Sequence, residues 1–352
     1  MERVADYIIR KIKEEGVSTV FTVTGRGSLF LNDALAKNPN VKSVSVHHEQ
    51  SAAFAAVAYS HSTNNTGACL VSSGCASTNA ITGVLSAWQD GLACIFISGQ
   101  NTMKETTSYT GLKIRTYGQQ ETNIVSILKP ITKYCKMLTS SDNIVYEIEK
   151  AFHLAKEGNK GPVWIDVPLD LQSKLFDHNK QRTFFSKLTL KSRNLNDDID
   201  FVKKAIDSSK RPIILIGSGI RHSSSEILLE KLISKCKIPL VYSSSAVDTY
   251  STNNELSIGS LGSMGCRRSA SFALQNSDLV LVLGSRLNSM TTGSDFCKFA
   301  RSAKIIVVDI NKIEHSKESV NIEKLIISDL NHFLTAILKL DLKQTNKDPN
   351  DS

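Results

Sequence analysis

The sequence predicts an α/β protein made of two doubly wound parallel-sheet domains. Short apolar runs recur along its 352 residues, each followed by a glycine-bearing turn and a helix-like segment, and this order is typical of parallel βα units. The runs lack strict polar alternation, as strands do when helices cover both faces of a sheet. We expect domains over residues 1–175 and 197–342, a linker over 176–196 and a disordered tail over 343–352.

The first domain opens with a helix, a strand and a glycine turn. Apolar residues at helical spacing predict a helix over residues 4–15, which Gly16 would end. Residues 20–23 are β-branched or aromatic and predict a strand, which leads through the turn Thr24–Ser28 into a helix from Leu29. This is the first βα unit.

The next stretch, Val41–Tyr59, joins an alternating strand pattern to a helix of small residues, with His47, His48 and Glu49 at the junction. Open α/β sheets bind ligands at the carboxyl ends of their strands, so Glu49 is a candidate ligand group. A second interpretation stays open at this point, in which Glu49 only complements the dipole of the helix that it begins. Neighbouring histidines cannot both face one site from a strand, so we predict no metal site.

Four further segments complete the predicted first sheet, and they are residues 68–72, 94–97, 133–137 and 161–168. The helices among them are predicted to end at Asp90 and to span residues 124–129 and 141–157. Between them, residues 101–123 are polar and carry no regular signal. A loop of that length in a compact domain is typically functional.

The second domain repeats the alternation. Its predicted strands are residues 212–216, 239–242, 279–283 and 304–309. Its predicted helices span residues 198–208 and 329–340, and two others end at residues 236 and 276. After the strand 239–242 we predict a polar loop as far as Gly265.

A glycine pair follows the first strand of this second domain. Gly217 and Gly219 resemble the start of a dinucleotide fingerprint, but His222 stands where the third glycine belongs. The next strand also lacks the acidic residue that would bind a ribose, which disfavours a nicotinamide site. A looser nucleotide cleft that uses Gly284, Arg286 and Asp309 at neighbouring strand ends remains open.

Composition excludes several classes of function. The net charge is +8, but the basic residues are spread over helix faces without a base-reading helix or stacking aromatics, so we predict no nucleic-acid partner. No apolar run reaches the length of a membrane span, and the charged amphipathic N-terminus is unlike a signal peptide. The seven cysteines are scattered, as in reduced cytoplasmic proteins.

The most specific signal is a series of segments in a fixed order. The first domain contains HHEQSAAFAAVAY, SSGCASTNAITGVLSAWQD, FISGQ, GQQETNIVSILKPITKY and GPVWIDVPLDLQ. The second contains IGSGI, IGSLGSMGC, LVLGSRLNSMTTG and VVDINK. Over about residues 1–335 this series resembles the thiamine diphosphate-dependent acetolactate synthase family. The resemblance implies a thiamine diphosphate-binding fold, the family's N-terminal pyrimidine-binding domain, followed by a Rossmann-like central domain.

The resemblance implies a catalytic role for Glu49. In such enzymes the glutamate at this position hydrogen-bonds the aminopyrimidine ring of thiamine diphosphate, whose imino form then takes the proton from the thiazolium carbon. The reaction implied is decarboxylation and carboligation of 2-oxo acids, with a place in branched-chain amino acid biosynthesis. Further positions match turns and side chains of the family near the cofactor and substrate, and these are Gly25, Ser73, Gly74, Asn79, Gln100 and Gln120. Arg26 departs from the family's Pro-Gly-Gly turn, and we expect this bulky side chain to reshape the substrate end.

In the central domain the resemblance implies positions that contact flavin adenine dinucleotide in relatives, and these are Gly217, Gly219, Gly262, Gly265, Gly284, Arg286, Asp309 and Asp329. Flavin use varies across the superfamily, so two interpretations stay open. In one FAD is a cofactor, and in the other these glycines only preserve the fold.

Relatives carry a third domain with a Gly-Asp-Gly motif that binds the diphosphate through Mg²⁺, and no such motif occurs in this sequence. The expectation is therefore a truncated chain or one subunit of a split enzyme, working as a homo-oligomer or with a partner chain that carries the diphosphate-binding domain and the metal ligands. Two alternatives stay open, a non-catalytic partner or assembly subunit of the same fold, and a nucleotide-binding protein that uses the central domain.

Overall fold

The computed structural model describes residues 1–185, 194–263 and 265–342. The chain divides into two compact units, Met1–Thr189 and Leu190–Ser352. The predicted tail 343–352 and residues 186–193 of the predicted linker lie outside the described residues. The domain limits at residues 175 and 197 stay predictions.

Within residues 1–185, two sets of strands form. The strands are β1 (Glu2–Arg3), β2 (Thr19–Thr22), β3 (Lys42–Ser45), β4 (Gly67–Val71), β5 (Cys94–Gln100), β6 (Tyr134–Met137), β7 (Pro162–Pro168) and β8 (Leu175–Phe176). The helices are α1 (Val4–Glu14), α2 (Leu29–Lys37), α3 (Glu49–Thr63), α4 (Cys75–Asn79), α5 (Ile81–Asp90), α6 (Thr107–Thr110), α7 (Ile124–Leu128), α8 (Ile144–Lys156) and α9 (Leu169–Gln172). Strands β2 to β7 form a parallel sheet in the order β3-β2-β4-β5-β7-β6, and β1 pairs antiparallel with β8.

Helices cover both faces of this sheet, as the sequence predicts. Ile95 and Ile97 of β5 face the cluster formed with α1, α2 and α8, whereas Phe96 faces the cluster formed with α3, α5 and α7. On that second face Phe96 stacks on Trp164 of β7, with ring centroids 5.7 Å apart. Because successive side chains of a strand point to opposite faces, an apolar run with no alternation is buried on both.

Residues 175–185, where the sequence predicts an exposed linker, lie against the first unit. Phe176 is buried, pairs with Glu2 and contacts the ring of Tyr7 at a centroid distance of 5.4 Å. The backbone N–H of Phe184 donates to the Glu149 carboxylate at 2.8 Å. Most of the other described residues of this segment are exposed, and the predicted linker stays a prediction.

Within residues 194–263 and 265–342, a second parallel sheet forms. Its strands are β9 (Pro212–Ile216), β10 (Leu240–Ser243), β11 (Ser257–Leu261), β12 (Leu279–Leu283), β13 (Lys304–Asp309) and β14 (Lys324–Ile327). Its helices are α10 (Asn196–Ser208), α11 (Gly219–His222), α12 (Glu226–Cys236), α13 (Arg268–Asn276), α14 (Ser289–Thr292) and α15 (Leu330–Ile337). The order is β11-β10-β9-β12-β13-β14, or 3-2-1-4-5-6 when the strands are numbered within this unit. That is the Rossmann order, whose switch point lies between β9 and β12.

Two strands of this sheet are absent from the sequence-based prediction. The prediction of a polar loop up to Gly265 is wrong for residues 257–261, which form β11, and β14 was not predicted. Both are edge strands with a single neighbour. An edge strand needs less apolar sequence than a central one, so its pattern is weak.

The described residues contain no helix long and apolar enough to cross a membrane.

Candidate functional site

The carboxyl ends of β2, β4 and β5 lie along one edge of the first sheet, and the turns that follow them contact one another. The backbone N–H of Gly27 donates to Ser72 Oγ at 3.0 Å. A Cβ added to Gly25 would lie 2.5 Å from the Cβ of Ser72, so the two turns approach as closely as backbone allows. Gly25 thus lies beside Ser72 and Gly27 beside Ser73, at the edge where the strand order also changes direction.

Glu49 begins α3 at this same edge and is half-buried. The imidazole of His48 caps the helix by accepting the Gln50 N–H at 3.1 Å. The Glu49 carboxylate bonds instead to a neighbouring helix, because Asn79 Nδ2 donates to Glu49 Oε2 at 2.9 Å. Among the described residues, no group donates a hydrogen bond to the other oxygen, Oε1. One oxygen orients the carboxylate and the second can accept a ligand's hydrogen bond.

Gln120 lies against the turn at Gly74. The backbone of Gly74 is left-handed, with φ +64°, and a Cβ there would lie 1.6 Å from the carbonyl oxygen of Gln120. Gln120 itself has φ +54° and an exposed side chain. Only glycine fits this contact, which brings the end of the loop 101–123 to the turn that precedes α4.

Gln100 occupies a different environment from the other predicted cofactor-facing residues. Its side chain is 2% exposed. Its Nε2 donates to the Thr122 carbonyl at 3.0 Å and to Asp166 Oδ2 at 3.1 Å, and its Oε1 accepts the Asn101 N–H at 3.0 Å. The amide is thus engaged inside the protein, and a cofactor-facing role for Gln100 stays a prediction.

Asp166 is a residue that the sequence analysis did not single out. It is 1% exposed on β7 and accepts a hydrogen bond from Ser98 Oγ at 2.6 Å. Burial, opposed by the Ser98 and Gln100 hydrogen bonds and assisted by the charge of Glu121, raises its pKa to about 7. A carboxylate between Ile165 and Val167 in an apolar strand was the available signal.

In the second unit, the predicted glycines contact one another. The N–H of Gly217 donates to the Leu283 carbonyl and that of Gly219 to the Gly284 carbonyl, both at 3.0 Å. A Cβ on Gly284, whose φ is +60°, would lie 2.7 Å from Gly219 Cα and from Leu330 Cδ1. These glycines let two loops meet at the switch point, and their N–H groups are already used there.

The other predicted residues of the second unit are distributed around that cleft. Asp309, at the end of β13, accepts the Asn311 N–H at 2.8 Å and lies 3.3 Å from His315 Nε2. Asp329 caps α15 by accepting the His332 N–H at 3.2 Å. Arg286 is exposed. Gly262 and Gly265 have positive φ and follow β11.

No group of three or more His, Cys, Asp or Glu side chains arranged to bind a metal ion occurs within residues 1–185, 194–263 and 265–342.

Two protein-family models match the chain. The model described as thiamine pyrophosphate enzyme, N-terminal TPP binding domain, matches residues 2–127. The model described as thiamine pyrophosphate enzyme, central domain, matches residues 199–337. Their order along the chain agrees with the order of the two structural units.

Curated relatives match across both units. Acetolactate synthase 3, chloroplastic, of Brassica napus is 32% identical over 318 residues, which are 89% of this chain and 47% of the relative. The acetolactate synthase large subunit of Corynebacterium glutamicum is 32% identical over 340 residues, 95% of this chain and 52% of the relative. The large subunit of Buchnera aphidicola is 30% identical over 349 residues, 97% of this chain and 58% of the relative. The chain spans about half the length of the curated relatives it matches.

Proposed function

Because the chain belongs to the acetolactate synthase-like family of thiamine pyrophosphate-dependent enzymes, we propose that it contributes Glu49 to an enzyme that decarboxylates and joins 2-oxo acids. The observation that carries this proposal is the Glu49 carboxylate, which is half-buried at the carboxyl edge of a parallel sheet. Asn79 holds one of its oxygens at 2.9 Å. A carboxyl group held by one oxygen and open at the other fits an aminopyrimidine ring, because the ring nitrogens can exchange a proton with it.

Each residue at the edge has a defined task in this proposal. Bound thiamine diphosphate supplies the electron sink on which 2-oxo acids lose carbon dioxide. Glu49 Oε1 holds the proton shared with the pyrimidine ring, and Asn79 fixes the orientation of the carboxylate. We assign the turns at Gly25, Ser73 and Gly74 to the wall of the site. Gln120, which contacts Gly74, is assigned to the substrate end. Arg26, exposed and bonded through Nη1 to Asn101 at 3.2 Å, is placed to attract the carboxylate of a 2-oxo acid.

The diphosphate and its Mg²⁺ are assigned to another part of the assembly. We propose that a partner chain supplies the metal ligands and covers the Glu49 edge. A cytoplasmic setting is part of the proposal and is supported by seven free cysteines scattered over both units.

The central test replaces Glu49 by Gln in an enzyme reconstituted with a chain or domain that binds the diphosphate. The neutral amide keeps the volume but cannot exchange the proton, so pyruvate consumption should fall at least about a hundredfold, within the range for lost acid–base catalysis. The free energy of unfolding should change by about 0.5 kcal/mol or less, because the side chain is half-buried and has one hydrogen-bond partner.

Glu14→Gln is the matched control, since Glu14 is an exposed glutamate on α1 that pairs with Arg10. It should retain the activity of the unmodified protein. Full activity of the Glu49 variant would contradict the catalytic assignment, and a reconstituted mixture that never consumes pyruvate would favour the assembly subunit.

A nucleotide in the second unit is a second candidate function, favoured by the Rossmann strand order of its sheet. Flavin adenine dinucleotide is the ligand that we propose. Purified protein should then show flavin absorbance after gel filtration, and protein that stays colourless in the presence of added FAD would contradict this candidate.

A further inference from the structure

Two buried carboxyl groups lie near the predicted cofactor edge of the first unit. Asp166 is 1% exposed and Glu121 is 4% exposed. Asp166 belongs to β7, whereas Glu121 belongs to the loop 101–123. Within the described residues, no Lys or Arg side chain forms an ion pair with either of them. Two acids without a cation are costly to bury in their charged forms.

Glu121 is held by one of its two oxygens. Thr107 Oγ1 donates to Glu121 Oε1 at 3.0 Å. The other oxygen, Oε2, is buried and has no hydrogen-bond partner in the described structure. A carboxylate oxygen that loses its hydrogen bonds to water on burial, and gains none in the protein, lowers the stability of the folded state. Burial of Glu121 therefore has a cost that no hydrogen bond to Oε2 offsets in the described structure.

Gln100 links Asp166 to the backbone beside Glu121. Its Nε2 donates both to Asp166 Oδ2 and to the carbonyl of Thr122, the residue after Glu121. The titratable groups that face Asp166 are Glu121 from the loop and Cys135 from β6. Burial raises the pKa of the Cys135 thiol to about 12, so Cys135 stays neutral. The pKa of Asp166, about 7, places its ionisation near neutrality.

The loop residues that precede Glu121 are largely exposed. Residues 111–117 are exposed, with the large side chains of Leu112 and Tyr117 among them, and the nearby Tyr109 is exposed as well. Hydrogen bonds attach the C-terminal part of this loop, where the Gly118 N–H donates to the Glu105 carbonyl at 2.8 Å and Asn101 Nδ2 donates to the Gln119 carbonyl at 3.0 Å. Earlier in the loop, Thr106 is buried. Gln120 follows directly and contacts Gly74.

We propose that Asp166 and Glu121 form a proton-dependent latch that holds residues 106–120 at the Glu49 edge and so positions Gln120 beside Gly74. While Asp166 keeps its proton, Glu121 stays buried beside a neutral group. When Asp166 loses the proton, two like charges share a buried site, and Glu121 relieves the repulsion by moving to water with its loop. Both acids are positioning residues, and only their consequence for Gln120 rests on the proposed function.

The test is amide hydrogen exchange of the full 352-residue chain, without cofactor, on peptides that cover residues 106–120. After correction for the intrinsic pH dependence of exchange, protection should fall roughly tenfold between about pH 6 and pH 8.5, a range that crosses the ionisation of Asp166. Peptides from β9 and β12 serve as the internal reference and should keep their protection.

Glu121→Gln should abolish the pH dependence by removing the second charge, and Asp166→Asn should do the same if it folds. Glu105→Gln is the control in the same loop, because hydrogen bonds from Thr102 lower the pKa of Glu105 and it stays charged over the whole range. Protection that does not change with pH in the unmodified chain, or a pH dependence retained in Glu121→Gln, would overturn the latch. Neither result bears on Glu49, since the experiment needs no turnover.

Discussion

The two units use the carboxyl edges of their parallel sheets in opposite ways. In the first unit, Glu49 keeps one carboxylate oxygen without a donor among the described residues, and Asn79 only orients the other. In the second unit, the N–H groups of Gly217 and Gly219 donate to the facing loop. The first edge leaves an acceptor oxygen of Glu49 open even though Gly27 joins two of its turns, whereas the glycine N–H groups of the second edge are used to join its loops. Similar sheets therefore do not imply similar chemistry, which depends on whether the groups at the edge are already bonded.

The largest expected loss of stability comes from Gly284→Ala, which disturbs the contact between the two loops of the second unit. The new Cβ would lie 2.7 Å from Gly219 Cα, on a residue with φ +60°, so the loops must separate. We expect the free energy of unfolding to fall by about 3 kcal/mol, measured by chemical denaturation. Gly111→Ala isolates the backbone strain, because Gly111 has φ +68° and nothing within 4 Å of the added Cβ, and it should cost about 1 kcal/mol. Equal losses in the two variants would show that the loops are not closely packed.

A second comparison concerns the buried acids of the two units, Asp166 and Asp198. No Lys or Arg of the described residues pairs with Asp166, and its pKa is raised from 3.8 to about 7 in the folded state. As the pH rises between these values, the unfolded chain loses this proton while the folded chain keeps it, so stability falls, and above pH 7 the effect is constant. Asp166→Asn should remove that slope, so that its stability relative to the unmodified chain increases from about pH 4 to pH 7.

Asp198→Asn is the matched control for that slope. Asp198 is buried in the second unit, but its carboxylate pairs with Lys324 Nζ at 3.0 Å. Its replacement should cost stability without a gain relative to the unmodified chain between pH 4 and pH 7, measured by urea denaturation at each pH. A relative stability of Asp166→Asn that does not change with pH would show that Asp166 is ionised throughout.

The smallest expected effect concerns Asp329, which the resemblance assigns to a cofactor and the structure places as the cap of α15. Asp329→Ala should lower the free energy of unfolding by about 1 kcal/mol, the usual cost of a lost N-cap. Asp329→Ser, which can still accept the His332 N–H, should restore most of it. A loss of nucleotide retention in both variants, with stability restored in the second, would instead favour a binding role.

The sequence was sufficient where burial leaves a strong pattern. Strands 212–216, 279–283 and 304–309 are predicted with the bounds that the structure gives, because central strands are apolar on both faces. Glu49 is also where the junction of strand and helix predicts it, at the first residue of α3.

Features that depend on distant partners were beyond the sequence. β11 and β14 are edge strands, and the packing of Phe176 on Tyr7 joins residues far apart in the chain. The inward direction of the Gln100 side chain depends on Asp166, which comes 66 residues later. Such contacts leave no local periodicity.

The pairing of β1 with β8 brings the first strand of the first unit beside its last strand, although the unit itself continues to Thr189. Glu2 and Phe176 are direct partners in an antiparallel ladder, roughly 5 Å apart at their Cα atoms. A domain whose entry and exit strands are neighbours can be inserted into a surface loop of another protein with short connectors. The ends of the segment 2–176 are therefore close enough for short connectors to join it to a loop of a host protein.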